Sequence, residues 1–486
     1  MSAVLDHVAE PALARAGRAA RLGRLRGFDS GAHELGDTPL AVQGKLPDWL
    51  RGNLLLNGPA LWDLPNGRYA HWFDGLAMLH RLRFDDGRVV YRSRFARSKA
   101  YTQAQAAGRP VFGEFETPDS EPWLRRLTHF FRRRSTDNPS VVMSRIGERW
   151  IACSESQHLT EFHPDSLATL GELVLDDGLN MPLMAAHGMT DDHGDYWNVG
   201  VELGPKCIYK LFRIRAGTTR REVVAAITVK KAGYLHAFAR SRGHVLVWET
   251  AMRVQPLGFL FTRRPYIHNF QWDAAGGSAI HAISLADGST RRWEIPPMMA
   301  FHAAQAYEDG SDLVLDLCDY PNATIFEDLR LDAVRSSVEQ RAVPRLARYR
   351  LRPNRAEAEP QQIGEAFELP QIHPAKIVDG PARWAWGAGL DPAVRTHFLD
   401  RTVRIDLTNG ERKEWQRPNA IQLEPLYVAR PNGTDEGDGV LLVPTLADED
   451  TATQIAVLDP ARMECLATLQ APQVIPFGFH AAFHPA

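Results

Sequence analysis

The chain is poor in cysteine, in long apolar runs and in net charge. Its four cysteines, Cys153, Cys207, Cys318 and Cys465, lie far apart, and no C-x-x-C occurs. A zinc knuckle or a dithiol redox motif is therefore not expected, and such sparse usage fits a reducing compartment. No apolar run reaches the roughly 18–20 residues that span a bilayer. Residues 1–27 hold no apolar stretch of the secretory kind, so the expected location is the cytoplasm. A formal charge of −3, from 56 basic and 59 acidic residues, gives no basic excess. Nucleic acid is not expected as a partner, because phosphate binding needs one. What is present is ordinary core material: 44% of the 486 residues are hydrophobic and 24% charged, which predicts a packed globular interior.

Few segments hold a helical period. Residues 11–26 are rich in Ala, Leu and Arg and predict a short surface helix. Asp6 and Glu10 argue against a transit peptide there. From residue 38 onward hairpin signals recur. Runs 77–84 and 89–95 flank Asp85-Asp86-Gly87, runs 141–146 and 150–154 flank Gly147-Glu148, and runs 233–239 and 245–249 flank Ser241-Arg242-Gly243. A weak internal repeat accompanies them. Residues 161–170 resemble 457–469, and residues 283–293 resemble 405–415. Each is a strand, a turn with Asp, Asn, Pro or Gly, and a second strand. Such units along an all-β chain predict propeller blades; two β-sandwich domains are the other reading of the pattern. The expected organisation is an arm over residues 1–37 and one β-propeller over 38–486.

Two stretches carry exposed-apolar chemistry. Residues 123–134 read W-L-R-R-L-T-H-F-F-R-R-R, with Trp123, Leu124, Leu127, Phe130 and Phe131 on one helical face and five arginines around them. That composition suits a helix lying in a membrane interface. Leu257-Gly258-Phe259-Leu260-Phe261, followed by Arg263 and Arg264, is the second. Packing onto the core is the alternative for both.

The stretch most informative about chemistry is 299–320. His302 sits between Phe301 and Ala303, Glu308-Asp309-Gly310 reads as a tight turn, and Leu313, Leu315 and Leu317 alternate along a buried strand. A lone histidine in such a setting is ordinarily a hydrogen-bonded core residue. Residues 301–308, F-H-A-A-Q-A-Y-E, nevertheless resemble the F-H-x-x-N-A-Y-E segment of the carotenoid cleavage oxygenases, a family that includes lignostilbene dioxygenases, apocarotenoid oxygenases and the retinal pigment epithelium isomerase. His187 in A-A-H-G-M-T-D-D-H-G, His236 in Y-L-H-A-F and His480 in G-F-H-A-A-F resemble three further motifs of that family. Their intervals follow no spacing rule, so the resemblance alone links them.

The resemblance spans roughly residues 38–484. It implies an all-β, seven-bladed propeller with a helical and loop cap over the metal face, and Fe(2+) held by His187, His236, His302 and His480. It also implies molecular oxygen as co-substrate and two open coordination positions. Glu155 in C-S-E-S, Glu368 in F-E-L-P-Q-I and Glu424 in L-E-P-L-Y-V match the carboxylates that orient three of the rings. They should serve His236, His302 and His480 and leave His187 without one. No general acid or base is required. Asn57-Gly58-Pro59 and His71-Trp72-Phe73-Asp74-Gly75 match structural motifs, while His71, His80, His163, His193, His373 and His484 are expected to serve structure or solvent. Trp123, Leu127, Phe130, Phe131, Phe259 and Phe261 are candidates for an apolar tunnel mouth touching a membrane.

The implied reaction is oxidative cleavage of a conjugated C=C bond in a small apolar substrate. The lignostilbene branch carries a lysine just before the ring-orienting Glu, where Ser154 stands here. A carotenoid or apocarotenoid is therefore preferred over a stilbenoid or vinylphenol. An isomerase on the same scaffold and a propeller that only binds a partner are the other readings. The chain departs from the family pattern at Leu56, Leu76-Ala77, Gly188, Gln305 and Ala481.

Overall fold

Seven antiparallel sheets stand in a ring, as seen in a computed structural model that describes residues 22–120, 136–261, 264–336, 339–391, 393, 398–433 and 435–486. The arrangement is a seven-bladed β-propeller. One strand of each sheet lies at the inner edge. In blade order these are His480–Pro485, Val142–Ile146, Leu183–Met184 with Met189–Thr190, Ala239–Arg240, Met299–Asp309, Phe367–Gln371, and Ala420–Gln422 with Leu426–Ala429. The ring is closed twice. Ala41–Gly44 adds to Glu464–Gln470 of the last blade, and His480–Pro485 adds to Gly52–Leu61 of the first.

Local turn chemistry builds the sheets. Asp86 (φ 50°) and Gly87 (φ 72°) join Leu76–Asp85 to Arg88–Phe95 with Asp85 opposite Arg88, as a two-residue hairpin demands. Gly147 (φ 57°) and Glu148 join Val142–Ile146 to Arg149–Cys153. The hairpin expected over 233–249 forms only in part: Ala239–Arg240 pairs with His244–Glu249, while 234–238 are not in a strand. That segment leaves the sheet to bring His236 inward. The turn expected at Glu308–Gly310 sits slightly later, because Glu308 and Asp309 still pair with Leu313 and Asp312.

The repeated segments are the outer hairpins of four blades. In each, one N–H donates to the carbonyl four residues earlier: Leu167 to His163, Gly288 to Ser284, Gly410 to Asp406 and Met463 to Asp459, at 2.8–2.9 Å. The donor residue is left-handed every time, with φ 58°, 70°, 77° and 54°. Two blades use glycine there, where the conformation is free of strain; two use Leu and Met, whose side chains are buried.

The strand Asp312–Tyr320 is buried along nearly its whole length. Leu313, Leu315 and Leu317 pack into one apolar cluster, while Asp316 and Asp319 are neutralised by Arg348 (2.8 Å) and Arg345 (2.5 Å). Short helices cap one face: Lys99–Ala107, Pro256–Phe261, Ile325–Asp328 and Leu331–Val334. Residues 1–21 and Trp123, Leu124, Leu127, Phe130 and Phe131 lie outside the described residues, as does the side chain of Phe261. Of the stretch 11–26 expected as a surface helix only 22–26 are described, and there Gly23–Phe28 is a 3-10 turn that buries Leu25 and Phe28. Phe28 meets Trp72, Phe398 and Phe477 edge-on at 5.7, 5.1 and 5.0 Å between ring centres.

Candidate metal centre

Local irregularities aim four histidines at one point. His302 lies on the inner strand Met299–Asp309, where the pairing slips between Ala300 and Gln305; bulges of this kind re-aim side chains. His187 sits between two two-residue strands, and its segment is tied to the next blade by Ala186 N–H donating to the His236 carbonyl at 2.8 Å. His480 opens the last strand, opposite Asn57. Gly58 makes that approach possible, since a Cβ there would stand 2.2 Å from Gly478 Cα.

The four rings present their Nε2 atoms to one another. His187 and His480 are 3.0 Å apart, His236 and His302 3.2 Å, and His302 and His480 3.2 Å. The far nitrogens are bonded. His236 Nδ1 donates to Glu155 Oε1 at 2.6 Å, His302 Nδ1 to Glu368 Oε2 at 2.6 Å, and His480 Nδ1 to Glu424 Oε1 at 3.0 Å. No carboxylate among the described residues reaches His187. Three rings thus carry their proton on Nδ1 and turn a lone pair toward the centre. Burial also holds His187 and His302 well below the ordinary imidazole pKa, and so neutral. Lone pairs crowded to about 3 Å repel, and a cation among them removes the conflict.

The ring centres define what such a cation would meet. Five pairs stand 4.2–5.0 Å apart; the sixth, His236 to His480, stands 6.4 Å apart. With metal–nitrogen bonds of about 2.1 Å, rings at right angles would lie about 4.6 Å apart and opposed rings about 6.5 Å. A tetrahedron would make six equal pairs, and a square plane would make two long ones. One long pair would instead suit a cation that takes further ligands besides the four rings. Four neutral imidazoles suit iron, copper, nickel or zinc rather than the oxygen-seeking calcium or magnesium.

The seven residues follow the ring. Blades one to seven contribute His480, Glu155, His187, His236, His302, Glu368 and Glu424, one from each. Above them lies a cavity of about 490 Å³ reached by His236, His302 and His480. Phe73, Phe115, Phe301, Phe398 and Phe479 form much of its wall, with Phe259 and Tyr266 from the cap and Ser154 beside Glu155.

The family whose sequence model is described as retinal pigment epithelial membrane protein matches residues 28–485. The chain belongs to this family, the carotenoid cleavage oxygenases. It is 29% identical over 484 residues to carotenoid cleavage dioxygenase 8 homolog A, chloroplastic, of Oryza sativa subsp. japonica, covering 93% of this chain and 85% of that one. It is 25% identical over 513 residues to the mitochondrial carotenoid-cleaving dioxygenase of Macaca fascicularis, covering 91% of each. A solved variant of Synechocystis apocarotenoid oxygenase superposes with a TM-score of 0.83 at 23% identity, covering 96% of this chain and 98% of that one, which shows the fold. The relatives from rice and macaque are named for the chloroplast and the mitochondrion. Among the described residues no helix is long and apolar enough to cross a membrane.

Departures from the family pattern have local causes. At Gly188 a Cβ would stand 2.1 Å from the Tyr196 hydroxyl, so the tyrosine ring takes the space a proline would fill. Gln305 spans two neighbours: its amide donates to Asp316 at 2.7 Å, and its carbonyl accepts from Ala382 N–H at 2.7 Å. Ala481 keeps its N–H on Glu424 Oε2 at 2.8 Å. His71 bonds the Phe326 carbonyl at 3.0 Å, and His80 the Tyr91 hydroxyl at 2.8 Å. Asp74 is buried and accepts from His71 N–H and the Thr117 hydroxyl.

Sequence reasoning missed three polar neighbours of the centre. Tyr234 donates its hydroxyl to Glu155 Oε1, Tyr320 lies close to Glu368, and Gln371 donates to Glu424 Oε1 at 3.0 Å. Tyr234 and Gln371 lie two and three residues from site residues, so their polarity within quoted motifs was the available signal.

Proposed function

We propose that this chain is a non-haem Fe(II) dioxygenase that cleaves a conjugated C=C bond of a carotenoid or apocarotenoid into two carbonyl products. The observation that carries the reading is the ring pattern of five short pairs and one long, beside an aromatic cavity, which would suit a cation that takes further ligands besides the four rings. The relatives named for carotenoid cleavage support the choice of reaction and substrate class. His187, His236, His302 and His480 would hold the iron, with Glu155, Glu368 and Glu424 fixing three ring planes and tautomers. Bound iron would supply the activation of dioxygen. The protein's own part is to bind and to exclude. The phenylalanine wall removes apolar polyene surface from water, worth about 25 cal/mol per Å², and sets which bond lies over the histidines.

Contact of the cavity mouth with a membrane belongs to the same proposal. Its support is Leu257, 72% exposed, two residues before the cavity residue Phe259. The deciding experiment measures iron content and aldehyde formation in wild type and His302→Ala. Iron-dependent cleavage of a carotenoid or apocarotenal, lost with iron in the variant, is expected. Equal iron in both proteins, or cleavage of stilbenoids alone, would overturn the reading.

A further inference from the structure

One carboxyl in the cavity wall has no part in the metal centre. Glu114 is 5% exposed and lines the cavity. Its backbone is fixed on both sides: its N–H donates to the Thr117 carbonyl at 2.9 Å, and its carbonyl accepts from Tyr266 N–H at 3.0 Å. Thr136 donates its hydroxyl to Oε1 at 2.7 Å. Among the described residues no lysine or arginine pairs with it. Burial, with Asp74 and Asp137 close by, holds its pKa well above the usual carboxylate range, which favours the protonated acid, a form that can donate.

The polar groups beside it are already committed. Thr136 Oγ1, besides donating to Glu114, accepts from Asn138 N–H at 3.1 Å. The Asn138 amide donates to the Gly75 carbonyl at 2.9 Å and accepts from Ala77 N–H at 3.0 Å. The Ser140 hydroxyl faces the Phe73 carbonyl at 3.4 Å. Among the described residues no hydrogen bond reaches Glu114 Oε2, in a wall otherwise rich in phenylalanine. A buried donor without a partner costs about 1–3 kcal/mol, and a ligand oxygen placed there recovers it.

We propose that Glu114 selects a polyene bearing a neutral oxygen, carbonyl or hydroxyl, at the end that enters this part of the cavity. The inference deepens the cleavage reading and rests on it for the substrate class. It makes Glu114 a specificity residue, favouring an oxygen-ended polyene over the hydrocarbon of equal length.

The test is binding without turnover. Whole protein is titrated under nitrogen with a conjugated polyene aldehyde and with the hydrocarbon of the same length. Glu114→Leu should lower aldehyde affinity about tenfold and leave the hydrocarbon unchanged. Glu114→Gln, close in shape and still a donor, should retain most of the affinity. The absorption band of the bound aldehyde should move to shorter wavelength in that variant, because an amide is a weaker donor than a carboxylic acid. Equal losses for both ligands, no loss for either, or an unmoved band in Glu114→Gln would overturn the inference. A preserved aldehyde preference in a protein that cleaves nothing in air would instead sink the cleavage reading and leave this one standing.

Discussion

Tyr234 and His236 share one acceptor: the tyrosine hydroxyl and the histidine Nδ1 both donate to Glu155 Oε1. The carboxylate therefore fixes a ring tautomer and is itself fixed by a second donor from the same short segment. Removing the carboxylate should free the ring. Glu155→Gln is expected to weaken metal retention about 10–100-fold, measured by competition with a chelator. Tyr234→Phe should cost less, and the double variant should fall short of the sum because both losses pass through one oxygen.

Restoring a family residue should harm this chain at position 188. The Cβ of Gly188→Ala would stand 2.1–2.3 Å from the Tyr196 hydroxyl and ring. Overpacking of that kind costs about 1–3 kcal/mol. Gly188→Pro should be worse still. Denaturant unfolding would show the loss, and shortening the partner with Tyr196→Leu should recover part of it in the Gly188→Ala background.

Gln305→Asn makes the same point by reach. One methylene shorter, the amide cannot span Asp316 and the Ala382 N–H, which Gln305 holds at 2.7 Å each. The side chain is 3% exposed, so the group left unpaired is buried. A loss of about 1–3 kcal/mol follows, read as a lower denaturation midpoint with unchanged slope.

Acid should destabilise the fold through buried neutral histidines. Burial lowers His80 from its ordinary value near 6.5 to about 3, and His71 likewise. Between those values the unfolded chain binds a proton that the folded chain does not. Stability therefore rises with pH across that window and is lost as pH falls below about 6.5. Asp74, raised by burial to about 6, acts with the opposite sign, so the measurement must be differential. The stability gap between wild type and His80→Gln should be constant above pH 7 and should shrink steadily from pH 6.5 toward 4. A pH-independent gap would show that His80 does not titrate as placed.

Much of the fold was legible in short stretches. Asp86-Gly87 and Gly147-Glu148 announced two hairpins because left-handed turn residues act over four positions. The repeat marked outer hairpins, where strand pairing and turn geometry are local. The 233–239 segment misled because its residues alternate like a strand, while tertiary packing draws 234–238 away to present His236. Glu114 gave no signal at all: a single glutamate before a phenylalanine is neutral or charged only by virtue of what buries it.

By itself the sequence determined the all-β character and the position of most turns, and its motifs, through their resemblance to the family, pointed to four histidines and three glutamates. Those properties are set by neighbours within a few residues. Only the tertiary structure decided that each blade donates one of the seven, that His236 and His480 stand opposed while all other rings are neighbours, and that the cavity joins an aromatic wall to one buried acid. These depend on closing a ring between residues hundreds of positions apart, and no local preference of the chain encodes where such residues meet.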